Sequence, residues 1–115
     1  MDKAKFEELV WQAIEELPPL FKERLQNVAV VVQDCPGPEA EDRFEGKMLL
    51  GLYHGVPVPE RSVWAVYPYP DVIYIYQANI ERICRTPEEI KRQVRETVIH
   101  EIGHYFGLSD EEMPI

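Results

Sequence analysis

Two helical stretches at the ends of the chain, with three β-rich runs between them, predict an α+β fold for these 115 residues. The first stretch places apolar residues at helical spacing (Phe6, Leu9, Val10, Ala13, Ile14, Leu17) and stops at Pro18-Pro19. The last opens on Thr86-Pro87-Glu88-Glu89, which supplies an N-cap, a proline at the first helical position and a capping-box glutamate at the third. Between them Val28–Val32, Met48–Tyr53 and Val72–Tyr76 have the β-branched and aromatic content, and the length, of strands.

Each element has its own signals. The first helix is expected from Asp2 to about Leu17, with a short helical continuation from Leu20 to Leu25. Val28-Ala29-Val30-Val31-Val32 has no polar interruption, so this strand is expected to be covered on both faces. Cys35-Pro36-Gly37-Pro38 and the acidic residues after it make 34–47 a loop, and Gly55 and Pro57 close the second strand. Residues 55–70 hold Pro57, Pro59, Pro68 and Pro70 together with Trp64, Tyr67 and Tyr69. An irregular stretch that long covers something or binds something, and one reading lays it over a groove until a partner displaces it. The third strand, Asp71 to Gln77, is followed by a short helical piece from about Asn79 to Arg85 and then by the final helix to Phe106. On that helix Val94, Val98, Ile102, Tyr105 and Phe106 form the core stripe, with Ile99 at its margin. Gln93, Thr97, His100 and His104 share the neighbouring face, with Glu101 at its rim. Gly103, on the far side of the histidines, either permits close approach of the N-terminal helix or is simply tolerated at a cost of about 1 kcal/mol. Trp11 and Trp64 read as core or loop-pinning residues.

Composition narrows the function classes. Length supports a single domain over residues 1–115, with one core rather than two lobes around a cleft. Twelve basic against 21 acidic residues give a net charge of −9, which argues against nucleic acid as a partner. The N-terminal residues contain no unbroken apolar run of the signal-peptide kind, and nothing approaches membrane-spanning length, so no membrane partner is expected. Cys35 and Cys84 belong to no metal-binding spacing and read as reduced thiols of a cytoplasmic protein.

The chemistry sits in His100-Glu101-Ile102-Gly103-His104-Tyr105-Phe106-Gly107-Leu108-Ser109-Asp110, or H-E-x-x-H-x-x-G-x-x-D. Histidines four apart lie about 40° apart around a helix and one turn up, so both imidazoles reach one ion. Gly107 can take the left-handed conformation that ends a helix and returns Asp110 as a third ligand, with Glu111 the alternative if the turn is looser. His100, His104 and Asp110 are thus the candidate ligands of one Zn2+. Such a site acidifies a water, and Glu101 is the candidate general base that takes its proton. Tyr53, Tyr67, Tyr69, Tyr74, Tyr76 and His54 qualify by type as oxyanion donors. From His100 onward there are Glu101, Asp110, Glu111 and Glu112 but no lysine or arginine, a field that favours a cation and basic over acidic substrates. Two readings follow. One is a zinc-dependent peptidase or related amide hydrolase; the other is an idle zinc-holding or peptide-binding regulatory module that needs a protein partner.

Together with Gly51-Leu52-Tyr53-His54-Gly55-Val56-Pro57, Glu60-Arg61-Ser62 and Pro70-Asp71-Val72-Ile73-Tyr74-Ile75-Tyr76, the motif resembles the short bacterial minimal zincin-like metallopeptidases, in the variant with Asp in the third-ligand position. The resemblance implies a small, mostly antiparallel or mixed sheet packed on an N-terminal helix and a C-terminal active-site helix. It also implies zinc on His100, His104 and residue 110, and a peptide or protein substrate. Larger metzincins floor the site with a methionine turn well downstream. Here Met113 is too near Asp110, so the pocket that segment builds is expected to be absent or made elsewhere. Zincins line the cleft with an exposed sheet edge, to which a peptide adds as a strand. Val72 to Gln77 is the expected edge, with Met48–Tyr53 the competing choice.

Overall fold

In the computed structural model, residues 1–38, 48–55, 59, 62, 64 and 71–112 are described. The acidic run after Pro38, most of the proline-rich stretch including Tyr67 and Tyr69, and Met113 lie outside them. The order is α1 (Lys3–Glu15), α2 (Pro19–Arg24), a 3-10 turn at Leu25–Asn27, β1 (Val28–Gln33), β2 (Gly51–His54), β3 (Asp71–Tyr76), α3 (Gln77–Ile83), α4 (Pro87–Tyr105) and a 3-10 turn at Asp110–Glu112. No helix among these residues is long and apolar enough to cross a membrane.

Local chemistry accounts for the helix ends. Asp2 caps α1 by accepting from the Lys5 amide at 2.8 Å, and Pro18-Pro19 restarts the chain as α2. Thr86 Oγ1 accepts from the Glu89 amide at 3.1 Å, while Glu89 Oε2 reaches back past Thr86 to the Arg85 amide at 2.6 Å. The capping box of α4 is therefore shifted outward by one residue. Removing the hydroxyl with Thr86→Ala should destabilise the protein by about 1 kcal/mol. Urea unfolding would show this as a lower midpoint at an unchanged slope.

The sheet is mixed, in the order β1-β3-β2. β1 runs parallel to β3, with Val30 opposite Ile73, and β2 runs antiparallel to it, with Tyr53 opposite Ile73. β3 is thus the central strand, and the expectation that Val72 to Gln77 forms the free edge is corrected. Its nearly all-apolar sequence suits a strand paired on both sides, and among the described residues β2 takes the edge. Alternation puts Val30, Val32, Ile73, Ile75, Gly51 and Tyr53 on one face. There the strand residues join Phe6, Val10 and Ala13 of α1 and Val94, Val98 and Ile102 of α4 in one core. On the opposite face Ala29, Val31 and Gln33 are exposed, so β1 is covered on one face only, not two. Trp11 and Trp64 are also outside the core, 60% and 92% exposed.

α1 lies against α4, and their polar rims meet as well. Glu16 receives Lys91 at 3.0 Å and a second contact from Arg95, and these cations hold its carboxyl below the ordinary range. Gly103 is buried on α4.

Candidate metal centre

Three local devices turn α4 into a site. The first is the end of the helix. Gly107 adopts φ +86°, its amide donates to the His104 carbonyl at 2.8 Å, and the Leu108 amide donates to the Gly103 carbonyl at 3.0 Å. This Schellman pairing reverses the chain within two residues. The second device is the turn that follows. Glu112 Oε1 accepts from both the amide (3.1 Å) and the hydroxyl (2.8 Å) of Ser109, which lowers its pKa and fixes the segment carrying Asp110.

The result brings together three of the expected residues. Asp110 Oδ1 stands 3.0 Å from His100 Nε2 and 3.1 Å from His104 Nε2, and the imidazole rings are nearly perpendicular with centroids 4.8 Å apart. Ligand atoms of His100, Glu101 and His104 lie within 4.8 Å of one another. Glu111, the alternative, is exposed on the same turn.

The donor set fits a small divalent cation on chemical grounds. His104 Nδ1 is 2.9 Å from the Leu108 carbonyl, which can only accept, so Nδ1 carries the hydrogen. A neutral His104 then points the lone pair of Nε2 at a carboxylate oxygen, and two such atoms repel unless a proton or a cation lies between them. Donors around a tetrahedral zinc stand roughly 3.3 Å apart, close to both observed separations. The Leu108 carbonyl plays the orienting part that a carbonyl or carboxylate usually plays behind a liganding histidine.

The third device concerns Glu101. At the rim of the histidine face, where the helix wheel places it, it is only 6% exposed. β2 covers it. Its Oε1 accepts from the Tyr53 amide at 2.8 Å. Because Tyr76 donates to the Leu50 carbonyl across the β2–β3 ladder, antiparallel parity turns the Tyr53 amide away from β3 and towards α4. Burial raises the pKa of Glu101, opposed by the Tyr53 amide and then by His104 and His100, with Asp110 adding to the rise. A carboxyl held in this way is a stronger base than one in water.

Gly51 sets how closely β2 approaches α4. A Cβ there would stand 2.5 Å from Thr97 Cγ2 and 2.9 Å from the Tyr74 carbonyl oxygen, so only glycine allows the strand to lie this low.

The oxyanion candidates divide by face. Alternation places His54, Tyr74 and Tyr76 on the sheet face away from α4, where the two tyrosine rings stack at 6.4 Å. Tyr53 faces the helix, its ring edge-on to Tyr105 at 5.7 Å, but it meets Glu101 through its main chain. The Tyr53 amide, the Leu108 carbonyl and the space at Gly51 carry no side-chain signature, and sequence reasoning missed all three.

A family model described as zincin-like metallopeptidase matches residues 25–114. Among solved structures, a conserved hypothetical protein from Thermus thermophilus is similar, with 28% identity and a TM-score of 0.59. The match covers 92% of this chain and 94% of that one. No curated protein sequence matches the chain.

Proposed function

Since the chain belongs to the zincin-like metallopeptidase family, we propose that it is a zinc-dependent peptidase or related amide hydrolase in which His100, His104 and Asp110 hold the metal and Glu101 is the general base. The observation that carries the reading is the convergence of two imidazole Nε2 atoms on one carboxylate oxygen, beside a buried carboxyl of raised pKa. Zinc, when bound, supplies a Lewis acid that polarises the substrate carbonyl and acidifies water.

The residues divide the remaining work. Leu108 and Ser109–Glu112 keep His104 and Asp110 oriented. Glu101, anchored through Oε1 by the Tyr53 amide, has its other oxygen to take a proton from the attacking water. As water adds to the amide carbon and the carbon–nitrogen bond breaks, the same carboxyl returns the proton to the leaving amine. Core packing on one side of α4 and β2 on the other limit water around Glu101, which keeps its basicity raised.

The test is a peptide-library cleavage assay on zinc-loaded protein, beside a zinc determination on His100→Ala and His104→Ala. Cleavage products, together with one zinc per chain that both variants lose, support the proposal. A zinc-holding module that needs a partner would give the same metal content and no products. Metal should also stabilise the fold. With free zinc a hundredfold above Kd, the gain is about 2.7 kcal/mol. A melting temperature unmoved by chelation would count against a site built in the native state.

A further inference from the structure

Beside His100 and Glu101 a groove of 260 Å³ opens between the chain leading into β2, Met48 to Gly51, and the α4 residues Gln93, Glu96 and Thr97. We propose that this groove receives a lysine or arginine side chain from the residue flanking the bond to be cleaved, and that Glu96 selects it. The inference rests on the peptidase reading for the existence of that bond.

The groove has two kinds of wall. Met48 and Leu50 offer apolar surface to a methylene stem, and Met48 is itself 47% exposed. Across from them stands the half-buried carboxyl group of Glu96. It has no hydrogen bond or ion pair with the described residues. Three acids on or beside α4 are engaged elsewhere, Glu16 by Lys91 and Arg95, Glu89 by the Arg85 amide and Glu101 by the Tyr53 amide, and Glu88, at the start of the helix, does not line the groove. Gln93 directs Nε2 to Thr97 Oγ1 at 3.3 Å, which leaves its Oε1 as a second acceptor.

Position matters as much as charge. Glu96 precedes His100 by four residues, so it lies on the same strip of α4, about 6 Å nearer the helix start. That is about the reach of an extended lysine side chain, so a residue whose carbonyl lies at the histidines can place its ammonium at Glu96. The only other ionisable groups lining the groove, among the described residues, are His100 and Glu101. A norleucine side chain fills the apolar wall and leaves Glu96 without a partner, whereas a glutamate meets like charge.

The experiment measures binding to zinc-loaded Glu101→Gln protein. The probes are short acetylated, amidated alanine peptides with lysine, norleucine or glutamate at the centre. By calorimetric titration, lysine should bind at least about fivefold more tightly than norleucine, the gain of one partly exposed charge-assisted contact. Glutamate should bind most weakly. Adding Glu96→Gln should bring lysine and norleucine within about twofold of each other, and Glu96→Arg should make glutamate the preferred residue. Amide shifts on binding should centre on residues 48–51 and 93–97. Equal binding of lysine and norleucine by the parent protein, a preference that persists in Glu96→Gln, or no binding of any probe would overturn the proposal. Cleavage by the wild type is scored separately. A lysine preference without cleavage removes the peptidase reading and keeps the pocket; cleavage without the preference does the reverse.

Discussion

Glu101→Gln is expected to slow hydrolysis of any cleaved peptide by about 10²–10⁴-fold, the usual contribution of a positioned general base, while zinc content stays unchanged. Glutamine keeps the shape, and its Oε1 still accepts from the Tyr53 amide, so only the basicity is lost. Hydrolysis assays and metal analysis on the same preparation check both halves, and an activity that survives would refute the role of Glu101. The variant should also change stability in the metal-free protein. Burial raises the Glu101 pKa in the fold above its unfolded value. The native state therefore holds this proton over a pH range where the unfolded chain has released it. Its contribution is present below the unfolded pKa and is lost as pH rises through the folded one. Glutamine does not titrate. With chelator at neutral pH the variant should melt no lower than wild type, and its stability should change less with pH above the ordinary carboxylate range.

Gly51→Ala is expected to cost about 3 kcal/mol, the upper part of the usual range for overpacking. One of the two obstructing atoms is a main-chain carbonyl oxygen that cannot turn aside, and the other is the methyl group of buried Thr97. The strand must lift from α4. Since the Tyr53 amide that holds Glu101 lies on the same strand, hydrolysis should fall together with stability. Thr97→Ser removes Cγ2 and leaves the Tyr74 oxygen in place, so combining it with Gly51→Ala should recover part of the loss. Denaturant unfolding of the four proteins in this cycle gives the coupling energy. Strict additivity would mean that the obstruction lies elsewhere.

The ends of the molecule are more legible in the sequence than its middle. Thr86, Pro87 and Gly107 mark the limits of α4 because capping and left-handed turns depend on neighbours within a few residues. The spacing of His100 and His104 fixes their shared face for the same reason, and the turn at Gly107 accounts for the return of Asp110. Strand order is harder. Residues 72–76 resemble an edge by their place before α3 and α4, although their apolar content points to the centre of the sheet. The depth of Glu101 cannot be read from its helix at all. It depends on β2, 48 residues earlier in the chain, and on the absence of a side chain at Gly51. Glu96 carries no mark in the sequence because one acid among 21 stands out only once the groove it lines is seen.

The contact between Glu101 and the Tyr53 amide also affects solubility. Among the described residues β2 is an edge strand, and edge strands with unpaired main-chain donors invite pairing with other chains. Here the carboxylate fills one of those positions from inside the molecule, and α4 shields the strand on that side. The group assigned to proton transfer is therefore also an edge guard. A side chain too short to reach β2 at position 101 would leave an open donor on the sheet margin, so loss of the base by truncation and a tendency to self-associate share one cause.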